Sequence, residues 1–172
     1  MAPGERGGAG SPRRMRVLVQ RVSRARVTVA GLVTGAIGRG LVVLVGATHG
    51  DGHSDADHLA RKVAGLRVFA DDAGQMNLDL TGVDGRVLAV PQFTLYADAR
   101  RGRRPEFTAA ARPEHAEPLF ERFCATLIGA GVGVERGVFG AHMALELVND
   151  GPVSLILESP PSAVAAGGEA GA

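Results

Sequence analysis

The sequence predicts one α/β domain: a mixed β-sheet with two helices. Three observations carry the prediction. Hydrophobic residues make up 45% of the 172 positions, enough for a real core in a chain of single-domain length. Two segments place apolar residues at helical spacing. The other apolar runs are short, and they give the order strands, helix, strand, helix, strands.

Both ends lack a periodic apolar face. Residues 1–14 are mostly Gly, Pro, Ala and Arg, and residues 160–172 are mainly Pro, Ala and Gly with one charge, Glu169. Neither stretch offsets its ordering entropy, so both are expected to be disordered tails around a domain at 15–159. Met15 opens the structured part and is a candidate for the biological start.

Arg16 to Val22 reads as a strand buried on both faces. Arg26 to Ala30 and Leu32 to Ile37 flank Gly31 as a tight hairpin. Leu41 to Val45 is a continuous apolar run, the mark of a central strand. The first helix is expected from about Asp55 to about Val68, capped by Ser54 or Asp55, with Ala56, Leu59, Ala60, Val63 and Leu66 on one face. Asp71 to Asn77 is a turn around Gly74. Val87 to Val90 is a strand that delivers Pro91, Gln92, Phe93, Thr94 and Leu95 at its end.

Asp98 to Pro105 is a loop carrying Arg100, Arg101, Arg103 and Arg104. The second helix starts near Pro113, a favoured first position. Its stripe is Ala116, Leu119, Phe120, Phe123 and Leu127, and Gly129, Gly131 and Gly133 end it. Met143 to Val148 and Val153 to Leu157 then read as a terminal antiparallel pair joined by a turn at Asn149 to Gly151.

Composition narrows the function classes. With no Trp and one Tyr, the chain lacks the aromatic platforms of a base-stacking strand reader. A net charge of +1 gives no whole-body footprint for duplex, though a local patch can still meet an RNA end. The single cysteine, Cys124, excludes an internal disulfide framework and a multi-cysteine metal site. It lies beside the second helix's apolar stripe with no basic partner in view, so it reads as packing. No secretion signal is visible and no apolar run is long enough to span a bilayer, which makes the cytoplasm the expected location.

Familiar catalytic signatures are missing. There is no Gly-x-Ser-x-Gly elbow, no His-Glu-x-x-His pair and no phosphate loop. His49, His53 and His58 do not share a helical face and read as a polar loop; His115 and His142 are isolated.

Gln92 and Thr94 have two readings: Thr and Phe favour strands, or a hydroxyl and an amide at a strand end orient a polar ligand. Asn149-Asp150-Gly151-Pro152 looks like a hairpin turn, and residue type alone favours a trans Gly-Pro bond. The arginine loop is either solvated or a phosphate contact.

Taken in order, these segments resemble the D-aminoacyl-tRNA deacylase family, also called D-tyrosyl-tRNA deacylase, over nearly all of Met15 to Glu158. The likeness runs through Arg16-Val17-Leu18-Val19-Gln20-Arg21-Val22, Leu66-Arg67-Val68-Phe69, Gly74-Gln75-Met76-Asn77, Arg101-Gly102-Arg103-Arg104-Pro105 and Phe139-Gly140-Ala141-His142-Met143. Two signatures carry it. The family's Ser-Gln-Phe-Thr-Leu stands here as Pro91-Gln92-Phe93-Thr94-Leu95. Its Asn-x-Gly-Pro-x-Thr stands as Asn149-Asp150-Gly151-Pro152-Val153-Ser154.

The resemblance implies a homodimer acting on the aminoacylated end of tRNA, with no metal or organic cofactor. It implies that the Gly151-Pro152 bond is cis and that the pair reaches into the partner's site, where its carbonyl oxygens exclude an L side chain. Asn149 and Pro91 belong to the same two motifs, and Phe139, Ala111 and Met143 match positions near the pocket. Backbone N–H groups near Phe93 and Thr94 would hold the oxyanion, Gln92 and Thr94 would position the substrate, and Arg101, Arg103 and Arg104 would meet tRNA. The terminal ribose hydroxyl would carry much of the catalysis, which agrees with the absent nucleophile. Glycine passes such a filter, so glycyl-tRNA mischarged on tRNA-Ala is a further expected substrate.

Pro91 in place of Ser is a departure. A related animal group that edits L-alanine also has Pro there, but Phe93 and the Asn149 to Val153 run match the D-specific group. The competing readings are an editor with a relaxed filter, a non-catalytic RNA-binding dimer, and a hydrolase of free D-amino-acid derivatives or small esters.

Overall fold

The structure, a computed structural model, describes residues 14–161. The expected tails therefore lie outside the described residues, apart from Arg14, Pro160 and Pro161. The chain forms β1 (Arg16–Val29), β2 (Leu32–Ile37), β3 (Gly40–Gly46), α1 (His53–Gly65), β4 (Phe69–Ala70), β5 (Met76–Leu78), β6 (Arg86–Pro91), α2 (Pro113–Gly129), β7 (Gly133–Arg136) and β8 (Ala144–Glu158). The main sheet runs β2-β1-β3-β6-β7, with β8 on the other side of β1. β3, β6 and β7 are mutually parallel, and β1 is antiparallel to β2, β3 and β8. This is the expected mixed sheet with two helices.

β3 explains the sheet's two-sided burial. Leu41, Val43 and Val45 join Leu59, Val63, Phe120, Phe123 and Leu127 in a core beneath the helices. Val42 joins Val22, Ala25, Val27, Ile37, Leu88 and Val90 in a second core on the opposite face. That face is covered because the β1–β2 hairpin folds over it, packing β2 against β6 and β7. A strand buried on both faces has no polar side to show, so its apolar run is unbroken.

Four expectations are corrected. The two strands expected at Arg16 to Val22 and Arg26 to Ala30 are one strand, and its burial changes face along its length: Val17 and Val19 pack into the core beneath the helices, and Val22, Ala25 and Val27 into the second core. Irregular register around Val22 bends β1 without ending it. The expected terminal hairpin is also one strand. β8 pairs with β1 on both sides of Asn149 to Gly151, and two steps along β1 match five along β8. The motif is thus a bulge, because pairing to a distant strand outweighs local turn chemistry.

β7 was not anticipated, since Gly133, Glu135 and Arg136 hide a four-residue edge strand. Finally, α1 begins and ends earlier than expected. Asp55 is not its cap but sits in its first turn, accepting the N–H of Gly52 at 2.8 Å.

The helices are pinned by a charged contact. Asp57 on α1 accepts Arg122 Nε and Nη2 at 2.7 and 2.9 Å and the Thr126 hydroxyl at 2.6 Å, both residues lying on α2. The Arg122 guanidinium, followed by the Thr126 hydroxyl, holds the Asp57 carboxyl well below the usual carboxylate range. Asp57→Ala is expected to lower unfolding stability by about 1–3 kcal/mol in urea titrations. Because the folded-state pKa is depressed, the contribution is fully present above the ordinary carboxylate range and falls away progressively as the pH drops from that range towards the lower folded-state pKa. No helix among the described residues is long and apolar enough to cross a membrane.

Candidate active site

A cavity of about 590 Å³ opens where β3 and β6 end. Gly46 and Ala47 leave β3 at its floor, and Pro91, Gln92 and Phe93 leave β6 at one side. Ala111, Phe120, Phe139 and Met143 complete a largely apolar lining. Ligand sites in α/β sheets favour this place, beyond the carboxyl ends of parallel strands.

After Pro91 the chain does not continue as a strand. Phe93–Tyr96 form a single 3₁₀ turn. Gly46 permits it: a Cβ there would lie 2.9 Å from Tyr96 Cε2 and 3.0 Å from Gln92 O. Gln92 N–H donates to Val45 O at 2.8 Å, and Arg16 Nη1 donates to Leu95 O at 2.9 Å. Arg16 also lies over the Tyr96 ring and pairs with Glu158.

Pro91 costs the sheet no bond on the β3 side. Its neighbour Gln92 supplies the N–H there, and the Pro91 nitrogen faces the side that β7 has already left.

Gln92 Nε2 donates to the Thr94 hydroxyl. Gln92 lines the cavity, whereas Thr94 is exposed beside it. The N–H groups of Phe93 and Thr94 head the turn and have no acceptor among the described residues; Leu95 N–H is held by Gln92 O. Two free N–H groups at an apolar pocket are a natural place for developing negative charge. The Phe93 ring meets Phe107 edge-on at 5.1 Å. Between them hangs the basic loop, whose Arg100 is paired with Asp98. Arg101, Arg103 and Arg104 are exposed with no ion-pair partner among the described residues.

Gly151 and Pro152 are not brought to this pocket. Asn149 and Gly40 both stand opposite Val22, at the start of β3, while the pocket opens at Gly46. Six residues of strand, at about 3.3 Å each, separate the two places by roughly 20 Å. The bulge is built firmly nonetheless. Asn149 Oδ1 accepts Val153 N–H at 2.7 Å, and Asn149 Nδ2 donates to Val153 O and Ser154 Oγ at 3.1 Å. Arg21 Nε donates to Asp150 O at 2.8 Å and its Nη1 to Val68 O at 2.5 Å. The Gly151–Pro152 peptide is cis, as the resemblance implies and against the trans bond that residue type favours. Both residues are exposed.

Sequence reasoning missed Arg21, Arg16, Phe107 and Asp51. Arg21 and Arg16 carry little signal, since they are two of four arginines in one strand, with Arg24 and Arg26. Asp51 carries none; it is one polar residue in a polar loop, yet it is 5% exposed. Cys124 is buried, and that burial pushes its thiol up to about 11, which suits packing. His142 lines the pocket lip. Among the described residues, no group of three or more His, Cys, Asp or Glu is placed to hold a metal ion.

Known proteins share this architecture and sequence. Residues 18–158 match the family model described as D-Tyr-tRNA(Tyr) deacylase. The D-aminoacyl-tRNA deacylase of Symbiobacterium thermophilum is 59% identical over 145 residues, covering 84% of this chain and 96% of the relative. That of Thermus aquaticus is 58% identical, covering 84% and 95%. Among solved structures, one described as c-Myc DNA Unwinding Element Binding Protein superposes with a TM-score of 0.78 at 38% identity, covering 84% of this chain and 99% of that one. Another, described as a probable eukaryotic D-amino acid tRNA deacylase, has a TM-score of 0.75 at 17% identity and shares the fold, covering 85% of this chain and 100% of that one.

Proposed function

The chain belongs to the D-Tyr-tRNA(Tyr) deacylase family and is a hydrolase of the D-aminoacyl-tRNA ester, and on that premise we propose how its residues divide the work. The aminoacyl end of tRNA enters the pocket beyond β3 and β6. The observation that carries this reading is the pair of free N–H groups, Phe93 and Thr94, beside an apolar cavity of about 590 Å³.

Water attacks the ester carbonyl carbon, and the carbonyl oxygen takes up the electron pair against those two N–H groups. Collapse of the intermediate breaks the bond to the ribose oxygen. One proton of the water restores the tRNA hydroxyl, and the other passes to solvent as the amino acid leaves as its carboxylate. The neighbouring ribose hydroxyl assists the water, so no protein nucleophile is required. Gln92 and Thr94, joined by their hydrogen bond, orient the substrate, and Phe139, Ala111 and Met143 shape the wall.

Selection requires a second subunit. Gly151 and Pro152 lie on an exposed bulge roughly 20 Å from their own chain's pocket. Among the described residues β8 pairs with β1 alone, which leaves its outer edge free there, with Ile156 68% and Val148 40% exposed. Dimerisation covers that edge and delivers the bulge to the partner's pocket. There the Gly151 and Pro152 carbonyls meet the aminoacyl Cα and exclude an L side chain, while D residues and glycine pass. Glycine mischarged on tRNA-Ala is thereby a substrate, and the cytoplasm is where tRNA is met.

Complementation tests the shared site. The isolated mixed dimer of a Gly151 variant and a Gln92 variant, whose homodimers are unselective and inactive respectively, should regain D-tyrosyl-tRNA deacylation with L-tyrosyl-tRNA spared. No recovery from a mixed dimer would contradict a site built across two chains. The arginine loop predicts a salt effect. Replacing Arg101, Arg103 and Arg104 by Ala should raise KM and flatten its dependence on log salt by roughly 0.7 for each single-strand phosphate left without its arginine.

A further inference from the structure

The pocket wall at Phe107, Ala110 and Ala111 belongs to no helix or long strand. It hangs on the segment after β3. Ala111 N–H donates to Ala47 O at 2.9 Å, Thr48 bridges to Ala110, and the Thr48 hydroxyl donates to Ala109 O at 2.5 Å. His49 Nε2 lies 2.9 Å from Thr108 O. Asp51 closes this segment from below. Its buried carboxylate accepts the N–H of Thr48 through Oδ2 at 2.7 Å. The backbone of Met15, a residue that also lines the pocket, lies near the same carboxylate and favours its charge.

We propose that Asp51 is a positioning residue for the substrate pocket: ionised, it fixes the Thr48 strut and, through that strut, the wall at residues 107–111. The proposal deepens, and rests on, the reading of this pocket as the aminoacyl site. The Thr48 N–H donates to one oxygen of the side chain, and the Met15 backbone lies near it. An ionised carboxylate offers two acceptor oxygens and the stronger, charge-assisted bond; a carboxylic acid or a carboxamide keeps one good acceptor and presents an O–H or N–H in place of the other.

Three neighbouring elements place a charged or titratable group near the carboxylate. Asp55 on α1 opposes the Asp51 charge, and His115 on α2 favours it. Tyr96 on the 3₁₀ turn faces the same carboxylate, which, after burial, raises the phenol's own pKa. Burial dominates and pushes the Asp51 carboxyl up to about 6. The sign for stability follows. A folded-state pKa above the unfolded value means that protonation favours the fold, so the Asp51 contribution rises as pH falls through about 6. Pocket order moves the other way across the same window. A merely structural carboxylate would not separate the two trends.

Two measurements test this on the full chain. In the wild type, the amide signals of Thr48, Ala110 and Ala111 should titrate with the midpoint of the Asp51 carboxyl carbon. Ala110 and Ala111 amides that stay still while Asp51 titrates would overturn the proposal. In D-tyrosyl-tRNA deacylation at neutral pH, Asp51→Asn should raise KM roughly tenfold with kcat little changed, and should lose the acid limb of the wild-type kcat/KM profile. Wild-type KM with an intact acid limb would also overturn it. A wild-type protein with no deacylase activity would refute the substrate reading instead, and the amide titration would still decide the strut.

Discussion

Phe93→Pro should lower D-tyrosyl-tRNA deacylation by roughly a hundred- to a thousandfold, the usual loss for one oxyanion donor. The substitution deletes one of the two N–H groups at the head of the 3₁₀ turn and disturbs little else in the backbone. Proline suits the first position of a helical turn. Gln92, with φ −144° and ψ 86°, lies outside the α region that a following proline disfavours. The side chain is a separate matter. The Phe93 ring is 58% exposed and touches Phe107, so Phe93→Leu serves as the control that keeps the N–H. Leucine should cost only a few-fold in kcat. Equal losses in the two variants would place the effect in the ring and remove the N–H from the mechanism.

The second large effect is expected at the bulge. Gly151→Ala should reduce the preference for D- over L-aminoacyl ester by about a hundredfold, as a misplacement near 1 Å can do. Gly151 has φ +145°, where an L side chain is strained. An added Cβ would lie 2.8 Å from Val153 Cγ2, 2.9 Å from Val153 N and 3.2 Å from Arg21 Nη2. Something must shift, and Arg21 and Asn149 hold the flanking backbone. The Gly151 carbonyl therefore moves. β8 pairs with β1 on both sides of the bulge, so the fold should persist, with an unchanged circular dichroism spectrum. Unchanged discrimination in the folded variant would contradict the filter.

Much of the fold was legible because its signals are local. The stripe Ala56, Leu59, Ala60 and Val63 has helical spacing, and the unbroken apolar run Leu41 to Val45 is consistent with a central strand. The end of the chain misled for the same reason. Asn149-Asp150-Gly151-Pro152 has the composition of a hairpin turn, but the pairing of residues 144–158 with β1 is decided more than 100 residues away in sequence.

The site shows the same division. Gln92, Phe93 and Thr94 were readable as a motif, yet their residue types suggest a strand. The turn exists because Gly46, on a different strand, leaves room for it. Arg21, Arg16 and Asp51 act on backbone groups of distant segments, and a sequence does not display which carbonyl or N–H a side chain will meet. The separation of Gly151 from the pocket is likewise a property of register alone.

The measurement that bears most directly on the central claim is deacylation of matched D-tyrosyl-, L-tyrosyl- and glycyl-tRNA by the purified protein. Rapid loss of the D and glycyl esters with the L ester spared is the predicted result. Loss of the L ester at a comparable rate, or survival of all three, would contradict a chiral filter at Gly151 and Pro152.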